Sequence, residues 1–244
     1  MNAWGKTDKG IVRTQNQDAF LIDLMHEEGL GICIVSDGMG GARAGNVASE
    51  LGAAAFVKSM KDRLRPQTTV RYLTSAIREA VEEANTEVFE KSLSNEAYAG
   101  MGTTLVGAVL SGSDVLVANV GDSRAYLISE KGIERMTRDH SVVEDLMILG
   151  DLTKEEAKTH PSKHLITRAL GTEKDVECDI YHRRVERGQF LLLCSDGLSN
   201  AVDEQEILYE VLHGNAKELV PGKLIDLANA RGGQDNITVV LLEV

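Results

Sequence analysis

Apolar and polar positions follow two distinct patterns along the chain. Short continuous apolar runs indicate buried strands, and they occur at residues 31–36, 104–110, 114–120, 124–128, 190–194 and 237–244. Longer stretches that are rich in alanine or place apolar residues at helical spacing indicate helices, and they occur at residues 45–64, 70–93, 142–149, 153–159, 203–212 and 222–230. Strands and helices therefore come in groups and do not alternate one to one.

This grouping favours antiparallel sheets flanked by helices, an α+β layered fold, over a doubly wound parallel sheet. Ser111-Gly112-Ser113 lies between two predicted strands and is expected to form a hairpin turn. The sequence has no linker-like, repetitive or low-complexity segment, so residues 1–244 are predicted to form a single domain. Residues 137–171 are polar and broken by short helical stretches, and we interpret this segment as an insertion that covers part of the domain.

Composition restricts the class of protein. Of the 244 residues, 43% are hydrophobic and 26% are charged, which is typical of a globular protein and too apolar for a disordered one. Acidic residues outnumber basic ones by 38 to 26, which gives a net charge of −12. This excess argues against binding to nucleic acids or to anionic membranes, because both require a basic face. It fits a protein that attracts cations.

The cysteines and the N-terminal residues bear on the location of the protein. Cys33, Cys178 and Cys194 are too few and too scattered for a disulfide framework or a cysteine-based zinc site. The first residues are polar and lack the apolar stretch of a signal peptide. No apolar run in the sequence approaches the roughly 18 residues of a membrane span. We therefore expect a cytoplasmic protein.

Aspartates recur where the predicted strands begin or end. Asp37, Asp122 and Asp196 each follow an apolar run, and Asp235 precedes the last one. One Asp-Gly pair after a strand is a common turn, but four such aspartates are difficult to explain in this way. If they converge, two carboxylates about 4 Å apart repel each other by roughly 4 kcal/mol at an effective dielectric near 20. Hard oxygen ligands without cysteine or histidine pairs predict bound magnesium or manganese.

Motifs of a known family also occur in order along the whole chain. They are Arg13-x-x-Asn16-Gln17-Asp18, Val35-Ser36-Asp37-Gly38-Met39-Gly40-Gly41, Gly45-x-x-Ala48-Ser49, Gly102-Thr103-Thr104, Gly121-Asp122-Ser123-Arg124, Asp139-His140, Ser195-Asp196-Gly197 and Gly232-Gly233-Gln234-Asp235-Asn236. With this set the chain resembles the metal-dependent serine/threonine protein phosphatases, the PPM or type 2C family, in their compact bacterial form. Each motif alone is weak, whereas the ordered set is specific.

The resemblance implies a fold and a set of metal ligands. The fold would be a four-layer α/β/β/α sandwich with two central, mostly antiparallel sheets and a metal cleft at one edge. Asp37 would bridge two Mn²⁺ or Mg²⁺ ions, with the Gly38 carbonyl on the second ion. Asp196 and Asp235 would complete the coordination of the first ion.

The same resemblance assigns roles to three further residues. Asp18 would act on the second ion through ordered water, and Asp122, together with Asp196, would hold a weaker third ion. Arg13 would bind the substrate phosphate, to which its planar guanidinium can donate two parallel hydrogen bonds. A water that bridges two cations would lose its proton near neutral pH and attack phosphorus directly, while Arg13 and the metals neutralise charge on the equatorial oxygens.

Position 39 departs from the pattern of eukaryotic members. These carry histidine immediately after the first Asp-Gly, and that histidine is taken to protonate the leaving serine oxygen. Met39 has no proton to donate. Because bacterial relatives often share this replacement, the resemblance still implies activity, and a water on the third ion, held by Asp122, is the candidate general acid.

Three functions are compatible with these observations. The leading hypothesis is a monomeric phosphatase that acts on phosphoserine and phosphothreonine in proteins and opposes a bacterial Ser/Thr kinase. An alternative is a pseudophosphatase that only binds partners, although the intact Arg13, Asp37, Asp196 and Asp235 argue against it. A third is another phosphoesterase, such as a nuclease, which the missing basic groove and the low aromatic content of 4% disfavour.

Several other residues have simpler interpretations. We expect His140, His160 and His164, which lie in or beside the insertion, to make structural hydrogen bonds. We expect Arg124 and Asp139 to form internal salt bridges. By resemblance the insertion is the flap beside the cleft, which influences substrate choice. The alternative interpretation is a surface loop with two short helices.

Overall fold

Two antiparallel sheets form the centre of the molecule in the computed structural model, which describes residues 1–41 and 44–244. The first sheet, in spatial order, consists of β2 (Asp18–Met25), β3 (Leu30–Met39), β5 (Leu105–Ser111), β6 (Asp114–Val120) and β9 (Asp179–Arg184), and β4 (Gly102–Thr103) pairs with the end of β3. The second sheet, in spatial order, consists of β1 (Asn2–Asp8), β11 (Ile237–Glu243), β10 (Phe190–Cys194), β7 (Arg124–Ser129) and β8 (Gly132–Arg135).

Four of the helices cover the outer faces of the two sheets. The helices that the structure describes are α1 (Ala44–Arg63), α2 (Val70–Leu93), α3 (Val142–Leu149), α4 (Lys154–Thr159), α5 (Asp196–Ser199), α6 (Glu204–His213) and α7 (Val220–Ala230). The first two helices pack on the first sheet, and α6 and α7 pack on the second. Among the described residues, no helix combines the length and the apolar character needed to cross a membrane.

Successive side chains along a strand pack into different hydrophobic cores, one on each face of the sheet. Ile32 and Ile34 of β3 pack into the core beneath α1 and α2. Cys33 and Val35 point the other way, into a core between the two sheets that also contains Leu193 of β10. This alternation follows from the period of two along a strand, and both faces of β3 are apolar because both are covered. The α+β fold with α/β/β/α layers is thereby confirmed.

The predicted strand at residues 31–36 is too short. The observed β3 continues to Met39, because β2 pairs with it as far as Asp37 and β4 pairs with its last two residues. Asp37 and Gly38 therefore lie inside a strand and do not form a turn after it. The hairpin turn at Ser111-Gly112-Ser113 is confirmed, since Ser111 of β5 pairs with Asp114 of β6.

The segment at 137–171 leaves the second sheet after β8 and returns to the first sheet before β9. Its ends are tied together, because Thr167 donates a backbone hydrogen bond to the His140 carbonyl (2.8 Å) and Val142 donates one to Leu165 (3.0 Å). We call this pair of backbone contacts the neck. Between them lie the two short helices α3 and α4, as the sequence predicts.

Candidate metal centre

Aspartates from both sheets meet at one edge of the sandwich. They are Asp18 at the start of β2, Asp37 near the end of β3, Asp122 after β6, Asp196 after β10 and Asp235 before β11. Because neighbouring strands are antiparallel, these strand ends fall on the same edge. Burial, and then repulsion from the other four carboxylates, raises the pKa of Asp37 well above its ordinary value. The structure thus brings together every aspartate that the sequence singled out.

Asp18 connects the two sheets. It lies opposite Asp37 in the β2–β3 pair, yet its Oδ2 accepts hydrogen bonds from Ser195 Oγ and Thr238 Oγ1, each 2.7 Å away, in the second sheet. Its side chain is buried, and Oδ1 has no hydrogen-bond partner. Burial raises the pKa of Asp18 to about 7, although the two hydroxyl groups oppose this shift. Ser195 stands in one of the quoted motifs, but the sequence predicted the contact with Asp18 for neither hydroxyl residue.

The backbone around Asp37 is fixed by Thr104 and by close packing. Asp37 N donates to Thr104 Oγ1 (2.9 Å), and Thr104 N donates to the Asp37 carbonyl (2.8 Å). At the next position, a Cβ on Gly38 would come 2.0 Å from the carbonyl oxygen of Gly45. Only glycine therefore allows the first turn of α1 to approach β3 so closely.

Arg13 and Asp235 form an ion pair at the site. The guanidinium Nη2 donates to Asp235 Oδ2 at 2.8 Å, and about half of the Arg13 side chain is exposed. The loop that carries Arg13 is held by Asn236, whose amide oxygen accepts from Gln17 N (2.8 Å) and whose amide nitrogen donates to Gln15 O (2.9 Å). Asn236 stands in one of the quoted motifs, but its anchoring role was not predicted.

Asp122 and Asp196 form the other side of the site. Burial raises the pKa of Asp122 to about 8, and repulsion from Asp196 adds to the shift. Burial and Asp235 also raise the pKa of Asp196, whereas the nearby His164 lowers it. The Asp196 Oδ2 accepts from Asn200 (3.0 Å), and its Oδ1 is buried without a partner. Because His164 lowers the pKa of Asp196, the insertion that carries His164 is close enough to the site to affect it electrostatically.

The side chains of the five aspartates are suitable ligands for a hard divalent cation. They supply carboxylate oxygens only, and two of those oxygens, Asp18 Oδ1 and Asp196 Oδ1, are buried and unpaired. Such atoms are costly to bury unless a partner compensates them. Among the described residues, no three acidic, histidine or cysteine side chains are gathered tightly enough to chelate one ion alone. Magnesium-type cations are commonly held by one or two carboxylates, with waters completing the coordination.

The expectations for the ion pair and for two of the histidines are confirmed. Arg124 donates to Asp139 at 2.6 Å, and His140 and His160 each accept a backbone hydrogen bond at 3.1 Å, from Gly121 and Ser162 respectively. The structure shows no comparable bond for the exposed His164 among the residues it describes.

Sequence and structure comparisons relate the whole chain to known phosphatases. The protein phosphatase 2C family profile matches residues 11–219. The serine/threonine phosphatase stp of Listeria monocytogenes is 40% identical, with 100% of this chain and 96% of that protein aligned. The serine/threonine phosphatase of S. agalactiae has a similar structure, with a TM-score of 0.90, 34% identity and coverage of 100% of this chain and 99% of the other.

A further solved structure bears on the metals. The catalytic domain of the phosphatase PstP, described in complex with 2 manganese ions, has a TM-score of 0.84 and 33% identity, with 99% of this chain and 97% of that chain covered. The family profile, the relatives and the geometry of the aspartate cluster agree. This chain belongs to the protein phosphatase 2C family, in the form found in bacteria.

Proposed function

We propose that this chain is a metal-dependent phosphatase that hydrolyses phosphoserine and phosphothreonine in proteins. The observation that carries the proposal is the convergence of five aspartates from two sheets, with a half-exposed arginine at the rim. Relatives named as serine/threonine phosphatases, aligned over nearly their whole length, support it. The cofactor is Mn²⁺ or Mg²⁺, two ions per chain with a third held more weakly.

The ligand roles are those that the family resemblance implies, and the positions of the side chains support them. Asp37, which is repelled by the other four carboxylates, would hold two ions, and the Gly38 carbonyl would contribute to the second. Asp196 and Asp235 would complete the first site. Asp18, whose Oδ2 accepts from two hydroxyls, would act on the second ion through water. Asp122, with Asp196, would hold the third ion.

When bound, a pair of divalent cations supplies an activated water for direct attack on phosphorus. Arg13 binds the phosphate oxygens, because its guanidinium is exposed at the rim and already donates to an anionic oxygen of Asp235. As charge builds on the equatorial oxygens, the two parallel N–H donors of Arg13 stabilise it. No serine or cysteine nucleophile is required.

Asp122 would help to hold the third ion, which would supply a bound water as the proton donor to the leaving oxygen. Met39 has no proton to donate, and its side chain packs toward Gly102 of β4, where an added Cβ would come 2.7 Å from the methionine Cε. The substitution D122A should therefore slow an alkyl phosphate, which needs the proton, far more than an activated aryl phosphate. An equal loss for both substrates would contradict this role.

The insertion at 137–171 is the flap of the single domain at 1–244, and we propose that it influences which phosphoproteins are accepted. The electrostatic effect of His164 on Asp196 supports a position beside the cleft. The substrates would be proteins phosphorylated by a Ser/Thr kinase of the same cell. A monomeric, cytoplasmic state without nucleic-acid or membrane partners remains our prediction.

Release of phosphate from a phosphothreonine peptide tests the proposal. The purified chain should release phosphate with MnCl₂ or MgCl₂ and not with chelator, and D235N, which preserves the side-chain shape, should lose this activity. A chain that binds the peptide without releasing phosphate under any metal condition would instead support the pseudophosphatase.

A further inference from the structure

His140 forms a reciprocal pair of hydrogen bonds with Gly121. The His140 backbone N–H donates to the Gly121 carbonyl (2.9 Å), and Gly121 N–H donates to Nδ1 of the imidazole (3.1 Å). Because a backbone N–H can only donate, Nδ1 carries no proton and the ring proton lies on Nε2. There Asp179 Oδ2, 3.3 Å away, is the acceptor, and Nη1 of Arg168 also lies 3.4 Å from Nε2. The ring is 2% exposed, so all of its polar contacts are internal.

Gly121 precedes Asp122 and is fixed on its opposite side by Thr104. Its φ of +104° is a conformation that L side chains rarely adopt, and a Cβ there would come 2.6 Å from Thr104 Cγ2. The Thr104 hydroxyl also hydrogen-bonds to Ser123 Oγ at 2.7 Å. The loop that carries Asp122 is thus held between Thr104 on one side and His140 on the other.

The backbone of His140 also belongs to the neck of the flap. Its carbonyl accepts from Thr167 N (2.8 Å), the residue at which the flap returns. The preceding Asp139 is fixed by two arginines, Arg124 at 2.6 Å and Arg135 at 2.7 Å. A single buried residue therefore contacts both the flap neck and the loop of Asp122.

We infer that His140 is a positioning residue that couples the flap neck to the Asp122 loop and thereby sets the cation affinity of the site to which Asp122 contributes. It acts through the Gly121 backbone and contacts no reacting group. The inference rests on the proposed role of Asp122 as a metal ligand. The inference predicts that loss of the Nδ1 contact with Gly121 weakens cation binding and that loss of the Nε2 contact with Asp179 does not.

Two substitutions separate these contacts. In H140N the amide oxygen can take the place of Nδ1 and accept from Gly121 N–H. In H140Q the longer amide takes the place of Nε2, toward Asp179, and leaves Gly121 N–H unpaired. D179N is the matched control, because it weakens the hydrogen bond at Nε2 while Gly121 N–H still donates to Nδ1.

Mn²⁺ titrations followed by the paramagnetic resonance of the free ion measure the affinity directly. We expect H140Q to bind its weakest Mn²⁺ roughly 10-fold less tightly, as is common for residues that orient ligands, and H140N and D179N to stay within about twofold of the parent. Amide hydrogen exchange at Gly121 should be faster in H140Q and unchanged in H140N. Parent-like Mn²⁺ affinity in H140Q, or equal losses in H140N and H140Q, would overturn the inference.

Two further outcomes remain decisive. If H140Q does not fold, H140N decides alone, since a folded H140N with 10-fold weaker Mn²⁺ binding contradicts the inference and parent-like binding supports it. If D122A binds as much Mn²⁺ as the parent, the proposed role of Asp122 fails. The Gly121 exchange rates then test the coupling by themselves, and equal rates in H140Q and the parent would refute it.

Discussion

Arg13 donates a hydrogen bond of 2.8 Å to Asp235, so the proposed phosphate-binding group is paired with a proposed metal ligand. This bond raises the pKa of Arg13, which keeps the guanidinium charged. A phosphate that entered the site would replace Asp235 as the partner of Arg13, and a cation would replace Arg13 as the partner of Asp235. The two residues therefore allow substrate binding and metal binding to be tested separately.

We predict that R13A lowers kcat/KM for a phosphopeptide and leaves Mn²⁺ affinity unchanged or higher. Hydrogen bonds to charged groups contribute about 1.5–3 kcal/mol, which corresponds to roughly a 10- to 100-fold loss. R13K keeps the charge but not the two parallel donors, so it should recover only part of the rate. Peptide kinetics and calorimetric Mn²⁺ titration distinguish the effects, and weaker Mn²⁺ binding in R13A would contradict the assignment.

The substitution D37N should remove activity and at the same time stabilise the chain in chelator. Removing this carboxylate relieves the repulsion that raises its pKa, and each kcal/mol gained raises the melting temperature by about 2–4 °C for a chain of this length. The Mn²⁺-induced rise in melting temperature should be lost, and turnover should fall by roughly 100-fold or more. S36A, at a buried neighbouring position, controls for local disturbance. Metal-dependent stabilisation of D37N would disprove the assignment.

Stability should depend on pH in opposite senses with and without metal. Folding raises the pKa of Asp18 to about 7 and of Asp122 to about 8, from a reference value of 3.8. Acids with raised pKa values favour the folded state while protonated, so in chelator stability should fall as the pH rises through this range. Mn²⁺ competes with those protons and should stabilise the chain increasingly from about pH 5 to about pH 8.

Melting curves across this pH range, recorded in chelator and in MnCl₂, test the prediction. The two melting temperatures should diverge as the pH rises. D122A should reduce the divergence, because it removes one of the carboxyl groups whose pKa is raised. A constant difference between the curves would show that these carboxylates do not exchange protons for metal.

G38A should destabilise the chain and disrupt the site. Its Cβ would lie 2.0 Å from the Gly45 carbonyl oxygen, so β3 and α1 must separate, at a cost of about 1–3 kcal/mol. G41A is the matched control, since among the described residues no atom beyond its chain neighbours lies within 4 Å of a Cβ at that position. Denaturant unfolding should show a near-parent free energy for G41A. Equal stability of the two variants would refute the packing argument.

T104V should weaken the site through the backbone of Asp37. It removes the acceptor for Asp37 N–H and leaves that donor unpaired, which costs about 1–3 kcal/mol. T104S retains the hydroxyl and should recover most of the loss in unfolding free energy and in Mn²⁺ affinity. If T104S is as impaired as T104V, the methyl packing against Gly121 matters as much as the hydroxyl, because T104V keeps a γ-methyl and T104S does not.

Central strands could be predicted from the sequence, whereas edge strands could not. The strands predicted at 114–120 and 190–194 agree with β6 and β10 residue for residue, because neighbouring strands or covering layers bury both of their faces. The strands β1, β2, β8 and β9, which no apolar run indicated, are the four sheet edges. An edge strand tolerates polar side chains, so its pattern resembles that of a loop.

The site was predictable in part for a similar reason. The aspartates are visible because each adjoins an apolar run or a glycine motif, whereas convergence depends on the order of the strands in the sheets. The contacts of Ser195 and Thr238 with Asp18 were not predicted, because hydroxyls that lie 177 and 220 residues from Asp18 in sequence leave no local pattern. The role of His140 likewise depends on a contact with Gly121, 19 residues away.

Asp18 is clamped by hydroxyls of the opposite sheet while it stands beside Asp37 in its own. The proposed cation site therefore lies between the two sheets of the sandwich. Any movement of one sheet relative to the other would alter the spacing of the proposed ligands, and a bound ion would hold the two sheets together. Metal binding would accordingly make the whole domain more rigid as well as enable its chemistry.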